Sequence, residues 1–398
     1  MSGRDPEPPP EPPSSGDELL QRWERRIDAA GDPLAALAEV LGGRAARRER
    51  LFQRVGDVVL GYRLTAILGA GGMGVTYSGT AADGSDVAVK LVPGVGGGEN
   101  RRFAQECRVL QELRHPAIVR YRDHAVLEDG TGVLCMERVR GVDLEHVLLG
   151  LQAEQPTGPA AALVEGIDAH PAERRRSPRF QRRVLRLLAE VADGLHTAHV
   201  AGVVHRDIKP ANVLVRDDLS PVLIDFGLAR DHQVRVSFTA SGAAMGTLAY
   251  MAPEQLGGDR GTVDARADVY ALGLVLFEAL CGEPVRADVA DVLADRARPF
   301  LLRARDSRAL PVPLQAVLYR CLDPRPQRRY PTAADLASDL RAAAGQGTVR
   351  ARRPSAVRRF ARDRRRVGRL TAALLATAAG AAAWWSPGGR HVVFVANC

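Results

Sequence analysis

Lysine is almost absent from this 398-residue chain. Of its 55 basic residues, 53 are Arg and only two, Lys90 and Lys209, are Lys. A high-GC coding bias produces such a skew, and surface charge tolerates it. A site that needs a compact point charge does not, because guanidinium is planar, wide and forked. The two remaining lysines are therefore candidates for chemistry. Cysteine is also sparse. Cys107, Cys135, Cys281, Cys321 and Cys398 lie far apart with no CxxC pair, which argues against a zinc ribbon, a dithiol redox motif and a secreted disulfide scaffold. No apolar stretch follows the N-terminus, so no cleaved signal peptide is visible.

What is present reads as globular. Apolar residues make up 46% and charged residues 26%, and the length fits two or three domains or one two-lobed unit with tails. The formal charge is +8, but residues 350–398 hold eleven Arg against Asp363, giving +10 and leaving −2 for the rest. An anionic partner is therefore to be sought at the tail and not on the main domain. An Arg-rich nucleic-acid binder lacks support, since neither aromatic interleaving nor a nucleic-acid motif accompanies the charge, and no nucleic acid is expected.

The chain divides by texture. Residues 1–16 contain six Pro and are expected to be disordered. Residues 17–60 read as a helical N-terminal extension, with Leu19, Leu20, Trp23 and Ile27 at helical spacing and Gly31 as a break. From Tyr62 the pattern becomes strand, Gly-rich turn, strand, Asp-Gly turn, strand. An amphipathic helix over 100–114 follows, with Phe103, Cys107, Leu110 and Leu113 on one stripe. Two more strand-like runs lie near Ile118–Tyr121 and Val133–Met136. The remainder to about Ala344 reads as mostly helical, interrupted at 150–179 by a Pro-, Gly- and Arg-rich stretch taken as a surface loop. The order predicts an α+β chain with a small antiparallel β lobe (61–140), one main helix, and a larger α-helical lobe (141–342).

Gly69, Gly71 and Gly74 form a GxGxxG. In a dinucleotide fold this string links a strand to a helix; here Val75-Thr76-Tyr77 continue as another strand, so the loop is a hairpin whose bare backbone can close over phosphates. Lys90, on the next strand in Val87-Ala88-Val89-Lys90, can reach those phosphates. Glu106 on the helical stripe is its expected partner, with Glu112 and Glu99 as rivals. Then come His205-Arg206-Asp207-Ile208-Lys209-Pro210-Ala211-Asn212 and Ile224-Asp225-Phe226-Gly227. Asp207 suits acceptance of a hydroxyl proton, Lys209 suits neutralisation of a transferred phosphoryl group, and His205 suits bracing of the loop. Asn212 and Asp225 offer oxygens, which fit a hard cation.

With GAGGMG, VAVK, HRDIKPAN, DFG, Met251-Ala252-Pro253-Glu254 and DVYALG at Asp268–Gly273, residues 61–342 resemble the eukaryotic-like (Hanks-type) serine/threonine protein kinases of bacteria. The resemblance implies a two-lobed kinase fold with a nucleotide cleft between the lobes. It also implies in-line transfer of the ATP γ-phosphoryl group, with Mg²⁺ (Mn²⁺ as a substitute), to Ser or Thr hydroxyls of protein substrates. It assigns Leu68, Gly69, Ala70, Gly71, Gly72, Met73 and Gly74 to the phosphate-covering loop. Thr76 stands where Val usually roofs the adenine, Ala88 and Leu214 would sandwich it, Met136 would be the gatekeeper, and Glu137 and Val139 the hinge. Arg329 would pair with Glu254, although Arg325 replaces the usual Asp nearby, and Asp268 would brace the catalytic loop. Thr247 resembles the residue that touches the catalytic Asp and Lys. Arg206 implies regulation by activation-loop phosphate, with Ser237, Thr239 and Ser241 as candidates, and a homodimer could serve autophosphorylation. A pseudokinase scaffold, recruiting partners through the N-terminal helices or basic tail, is the alternative.

Residues 343–369 read as an Arg-rich juxtamembrane linker, with ten Arg between 350 and 369. Residues 370–386 follow as an expected single-pass span, with sixteen uncharged positions over 370–385 and Trp384-Trp385 at an interface. Residues 387–398 form a short tail, too short for an extracellular sensor. This places the kinase domain on the cytoplasmic face of the cell membrane. The rival is peripheral binding of the Arg cluster to an anionic membrane surface.

Overall fold

The computed structural model describes residues 49–71, 74–93, 99–226, 249–256, 263–282 and 310–352. The chain divides into two compact units, Met1–Ala351 and Arg352–Cys398. The described residues lie in the first, apart from Arg352.

The small lobe is one antiparallel sheet. Its strands are β1 (Val58–Val59), β2 (Tyr62–Gly71), β3 (Gly74–Thr80), β4 (Asp86–Val92), β5 (Tyr121–Val126) and β6 (Gly132–Glu137), in the order β1-β2-β3-β4-β6-β5. Short hairpins connect β2 to β3 and β3 to β4, as the turn signals require. Strand β4 lies in the middle of the sheet and is buried on both faces, and its side chains alternate between two cores with the period of two that a strand imposes. Val87, Val89 and Leu91 enter an outer cluster with Val75, Tyr77, Val133 and Cys135. Ala88 and Val92 face the other way, into the main core, as do Leu134 and Met136 of β6. Lys90 lies on this inner face, between Ala88 and Val92. The hydrophobic pattern of β4 thus decides which way Lys90 points.

Helix α1 (Glu99–Glu112) packs its apolar stripe inward, with Phe103, Cys107, Leu110 and Leu113 all buried. Burial pushes the Cys107 thiol up to about 12, so it serves as a core side chain and not as a nucleophile.

The large lobe contains α2 (Leu144–Gly150), α3 (Gly158–Val164), α4 (Pro171–Arg174), α5 (Pro178–Val200), α6 (Pro253–Leu256), α7 (Arg266–Cys281), α8 (Val312–Cys321) and α9 (Ala333–Arg341). Helix α7 is apolar nearly all round and buried along most of its length, the signature of a central core helix. Gly273 lets α8 approach it, since a Cβ there would stand 2.5 Å from Cys321 Cβ. The lobe also contains a small sheet, β7 (Val142–Asp143), β8 (Val213–Val215) and β9 (Pro221–Leu223), which a mostly helical reading passed over. These strands of two or three residues adjoin the loop at 205–212.

Three expectations are corrected. Residues 150–179 are folded, not a surface loop. Pro159, Pro171 and Pro178 sit in the first turns of α3, α4 and α5, where proline starts a helix instead of breaking it. Arg174 and Arg175 are buried. Arg174 donates to the carbonyls of Leu151, Ala153 and Glu154, and Arg175 to those of Leu148 and Ala279. The end of the N-terminal extension is not helical: residues 49–51 are, but Val58–Val59 form the edge strand β1. Leu51 and Val59 seal the outer cluster of the sheet, and Tyr77 Oη donates to the Leu51 carbonyl. Finally, the linker expected from 343 onward begins inside the lobe. Ala344 and Ala351 are buried, and the Asp339 carboxylate accepts the N–H groups of Arg350 and Ala351. The span expected at 370–386 lies outside the described residues. Among the described residues no helix is long and apolar enough to cross a membrane.

Candidate active site

The glycine-rich hairpin joins β2 to β3, with Gly71 opposite Gly74. Gly74 has φ 133°, and a Cβ there would fall 1.9 Å from the Leu91 carbonyl oxygen. Only glycine lets this hairpin lie so close to β4. Gly72 and Met73 lie outside the described residues. Thr76 pairs with Lys90 across the β3–β4 ladder, and Ala88 pairs with Met136 across β4–β6. Leu68 is exposed, Met136 is buried, and Val139 and Leu214 are half-buried. Glu137 ends β6, where its N–H donates to the Arg120 carbonyl.

Lys90 is 8% exposed, and its Nζ stands 2.8 Å from Asp225 Oδ1. A buried ammonium requires a partner. Burial pushes the Asp225 carboxyl up, but the charge and hydrogen bond of Lys90 outweigh it, and the group is held below its ordinary value. Asp225 is thus ionised at neutral pH. Its backbone is left-handed, with φ 59°, a conformation that costs a non-glycine residue of order 1–3 kcal/mol and that clusters at functional sites. Glu106 is half-buried on α1, and Glu112 is exposed.

The loop that carries Asp207 is braced from beneath. Asp268, buried on α7, accepts the N–H groups of His205 and Arg206, each at 2.8 Å, and meets His199 Nε2 at 2.8 Å. Burial pushes this carboxyl up, yet the His199 hydrogen bond and the neighbouring imidazoles hold it below its ordinary value. His205 is fully buried. Its Nδ1 accepts the Asp207 N–H, leaving Nε2–H to donate to the Ile224 carbonyl at 3.0 Å. That pattern requires the neutral imidazole, and burial accordingly pushes its pKa down. The ring packs on Phe226, with centroids 4.5 Å apart. His205 therefore ties the segment after β9, which carries Asp225, to the loop carrying Asp207.

Beyond His205 the loop presents its polar groups together. Asp207 is 5% exposed. Lys209 Nζ lies 3.6 Å from Asp207 Oδ2. Asn212 Nδ2 donates to the Asp207 carbonyl at 2.8 Å, so its Oδ1 remains as an acceptor. Asn212 and Asp225 thus supply one amide oxygen and one ionised carboxylate, a hard-oxygen set suited to Mg²⁺ that also binds phosphate. Among the described residues no group of three or more His, Cys, Asp or Glu could hold a metal unaided. A cation here would depend on oxygens of the nucleotide, as Mg²⁺ commonly does.

Arg329 donates from two nitrogens to the two Glu254 oxygens, at 2.6 and 2.8 Å, and lies over the Tyr270 ring. Gly227, Ser237, Thr239, Ser241 and Thr247 lie outside the described residues. The structure adds residues that sequence reasoning missed. His199 completes the Asp268 cluster, and Tyr250 Oη donates to Glu278 on α7. A second histidine upstream of His205 was the available signal for the first, whereas the second pairs residues far apart in sequence and left no local signal.

The geometry defines a class: a β lobe with a glycine hairpin, a helical lobe, and a Lys–Asp pair between them. A family profile described as protein kinase domain matches residues 62–339, and the chain belongs to that family. It is 33% identical over 296 residues to serine/threonine-protein kinase PknH of Mycobacterium bovis, covering 71% of this chain and 44% of that protein. It is 34% identical over 293 residues to serine/threonine-protein kinase PknB of Mycolicibacterium smegmatis, covering 70% and 42%. The chain thus spans less than half the length of these curated relatives.

Proposed function

We propose that this chain is an ATP- and Mg²⁺-dependent serine/threonine protein kinase of a bacterial signalling type. The observation that carries the reading is the Lys90–Asp225 pair, tied through His205 to the loop that holds Asp207, Lys209 and Asn212. A scaffold without chemistry has no need of a buried ammonium ion-paired across two lobes, and the pseudokinase alternative is not favoured.

In this reading the hairpin over Gly69, Gly71 and Gly74 covers the triphosphate with backbone N–H groups. Lys90 holds phosphate oxygens. Asp225 and Asn212 would hold Mg²⁺, which when bound neutralises charge on the phosphates. Asp207 orients the substrate hydroxyl and accepts its proton, and Lys209 stabilises the charge that develops on the transferring group. Little covalent work is asked of the protein, so positioning and charge dominate the rate. Thr76, Ala88, Met136, Glu137, Val139 and Leu214 form the adenine side. Glu106 remains the proposed support for Lys90, and Leu68, Ala70 and Met73 the flanks of the hairpin. Lys209 resembles the Ser/Thr branch, and both relatives carry that name.

Regulation follows the same reading. Arg206 would receive phosphate from Ser237, Thr239 or Ser241, and Thr247 would contact Asp207 and Lys209. Autophosphorylation within a homodimer would supply the phosphate. The basic stretch from Arg350 onward supports docking on an anionic membrane with the kinase on the cytoplasmic side, and the uncharged run 370–385 supports anchoring. Carbonate washing separates these two modes, since only a peripheral tail is released. The central test is transfer of labelled γ-phosphate to a generic Ser/Thr protein substrate, with mass spectrometry of the chain itself beside an Asp207→Asn variant. Equal phosphate on both proteins, or no nucleotide consumed with magnesium supplied, would defeat the proposal.

A further inference from the structure

The short helix α6 opens with the Gln half of a capping box. Ala252 precedes its first turn, and Gln255 is the third helical residue. Gln255 N–H donates to the Ala252 carbonyl at 2.9 Å, and Ala252 N–H donates back to Gln255 Oε1 at 2.9 Å. Glu and Gln fill this role equally, because the box uses only an acceptor oxygen. The amide nitrogen is what distinguishes Gln. Here Nε2 donates to the Arg206 carbonyl at 3.1 Å. The two contacts also fix which amide atom is which, since an N–H requires oxygen and a carbonyl requires N–H.

Arg206 stands directly before Asp207 and is left-handed, with φ 63°. A non-glycine residue holds that conformation only where its surroundings impose it. Its N–H is held by Asp268 Oδ1 at 2.8 Å, and its carbonyl is held by Gln255. The two peptide bonds that flank Arg206 are therefore pinned from two different helices, the preceding one from α7 and the one that leads into Asp207 from α6.

We propose that Gln255 is a positioning residue for the transfer reaction. Its amide ties the Ala252-Pro253-Glu254 segment to the Arg206 carbonyl and so sets the direction in which Asp207 projects. This rests on the kinase reading of Asp207. Misplacement of a reacting group by about 1 Å is enough to lower a rate on the order of a hundredfold, so one hydrogen bond on this peptide has leverage. Gln255→Glu is the discriminating variant. It keeps length and shape and preserves the box, but sets a carboxylate oxygen against a carbonyl oxygen. Gln255→Met keeps the length and loses both contacts.

The full chain and both variants are compared for kcat, KM for ATP, thermal midpoint and amide hydrogen exchange. Gln255→Glu should lose about tenfold or more in kcat, with KM for ATP and the thermal midpoint unchanged. Gln255→Met should lose kcat and also lower the midpoint. In both variants exchange should quicken over residues 203–212 and stay unchanged over α9. Wild-type kcat in Gln255→Glu, or unaltered exchange at 203–212, overturns the assignment. So does a kcat loss matched by a fall in the midpoint of Gln255→Glu, which would mark the residue as merely structural. Failure of the wild-type chain to transfer phosphate would sink the kinase reading alone, because the exchange measurement decides on Gln255 without turnover.

Discussion

Lys90 Nζ and Asp225 Oδ1 stand 2.8 Å apart, an ammonium from the small lobe against a carboxylate from the large one. Each answers the other's burial. Lys90 is almost out of solvent, where an ammonium needs a partner, and Asp225 is kept ionised by it against the pull of burial. The pair joins the two lobes and forms a preorganised set of charges before any ligand arrives.

Replacing Lys90 by Met should therefore abolish most phosphate transfer, by about 10² or more, in a protein that still folds. Lys90→Arg should not rescue it, because a forked guanidinium does not fit a site built for a point charge. Initial rates of γ-phosphate transfer measure both. Comparable rates in Lys90→Arg and wild type would contradict the placement.

The Arg329–Glu254 pair should dominate large-lobe stability. The Arg329 side chain is fully buried, and that of Glu254 is nearly so. Removing one partner of a buried ion pair leaves the other uncompensated, at a cost of roughly 3–5 kcal/mol. Arg329→Met and Glu254→Gln should each destabilise by about that amount in denaturant melts. The double variant should cost clearly less than the sum of the two, since it strands no charge.

Much of this was legible in the residues, and the parts that were not share a cause. The period-2 alternation of β4 and the stripe on α1 announced themselves, because one core dictates each pattern. Lys90 and Lys209 stood out because the rest of the basic residues had become Arg. The segment 150–179 misled because its prolines start helices, and because its arginines turn inward to backbone carbonyls. A charged side chain satisfied by carbonyls leaves no partner visible in sequence. Strand β1 was read as helix because two residues are too few to show alternation. The brace from Asp268 was legible only through family likeness. The Gln255 contact needed coordinates, since Gln255 and Arg206 meet only when the lobe is folded.

The N-terminal extension should matter to the nucleotide loop. Leu51 is 3% exposed under the outer face of the sheet, and its carbonyl receives Tyr77 Oη. Tyr77 lies on β3, one of the two strands that carry the glycine hairpin. Leu51→Ala should cost roughly 2–5 kcal/mol through the cavity it leaves. It should also raise KM for ATP, while Tyr77→Phe should cost only about 1 kcal/mol. Thermal melts and ATP titrations of the same preparations check both. Full stability in a chain starting at Gly61 would show that the extension does not support the sheet.

Glu278 provides a test whose sign is set by electrostatics. Burial pushes its carboxyl above the ordinary value and outweighs the hydrogen bond from Tyr250, with Glu145 adding in the same direction and Arg175 opposing. A group whose pKa is raised by folding binds its proton more tightly in the folded state. Its contribution is then fully present at low pH and is lost as pH rises through the folded pKa. Glu278→Gln cannot ionise and keeps an acceptor for Tyr250. The thermal midpoint of the variant relative to wild type should therefore improve steadily as pH is raised from about 4 to 8. A difference moving the other way would mean that the Arg175 guanidinium outweighs burial and that Glu278 is held as a stabilising carboxylate.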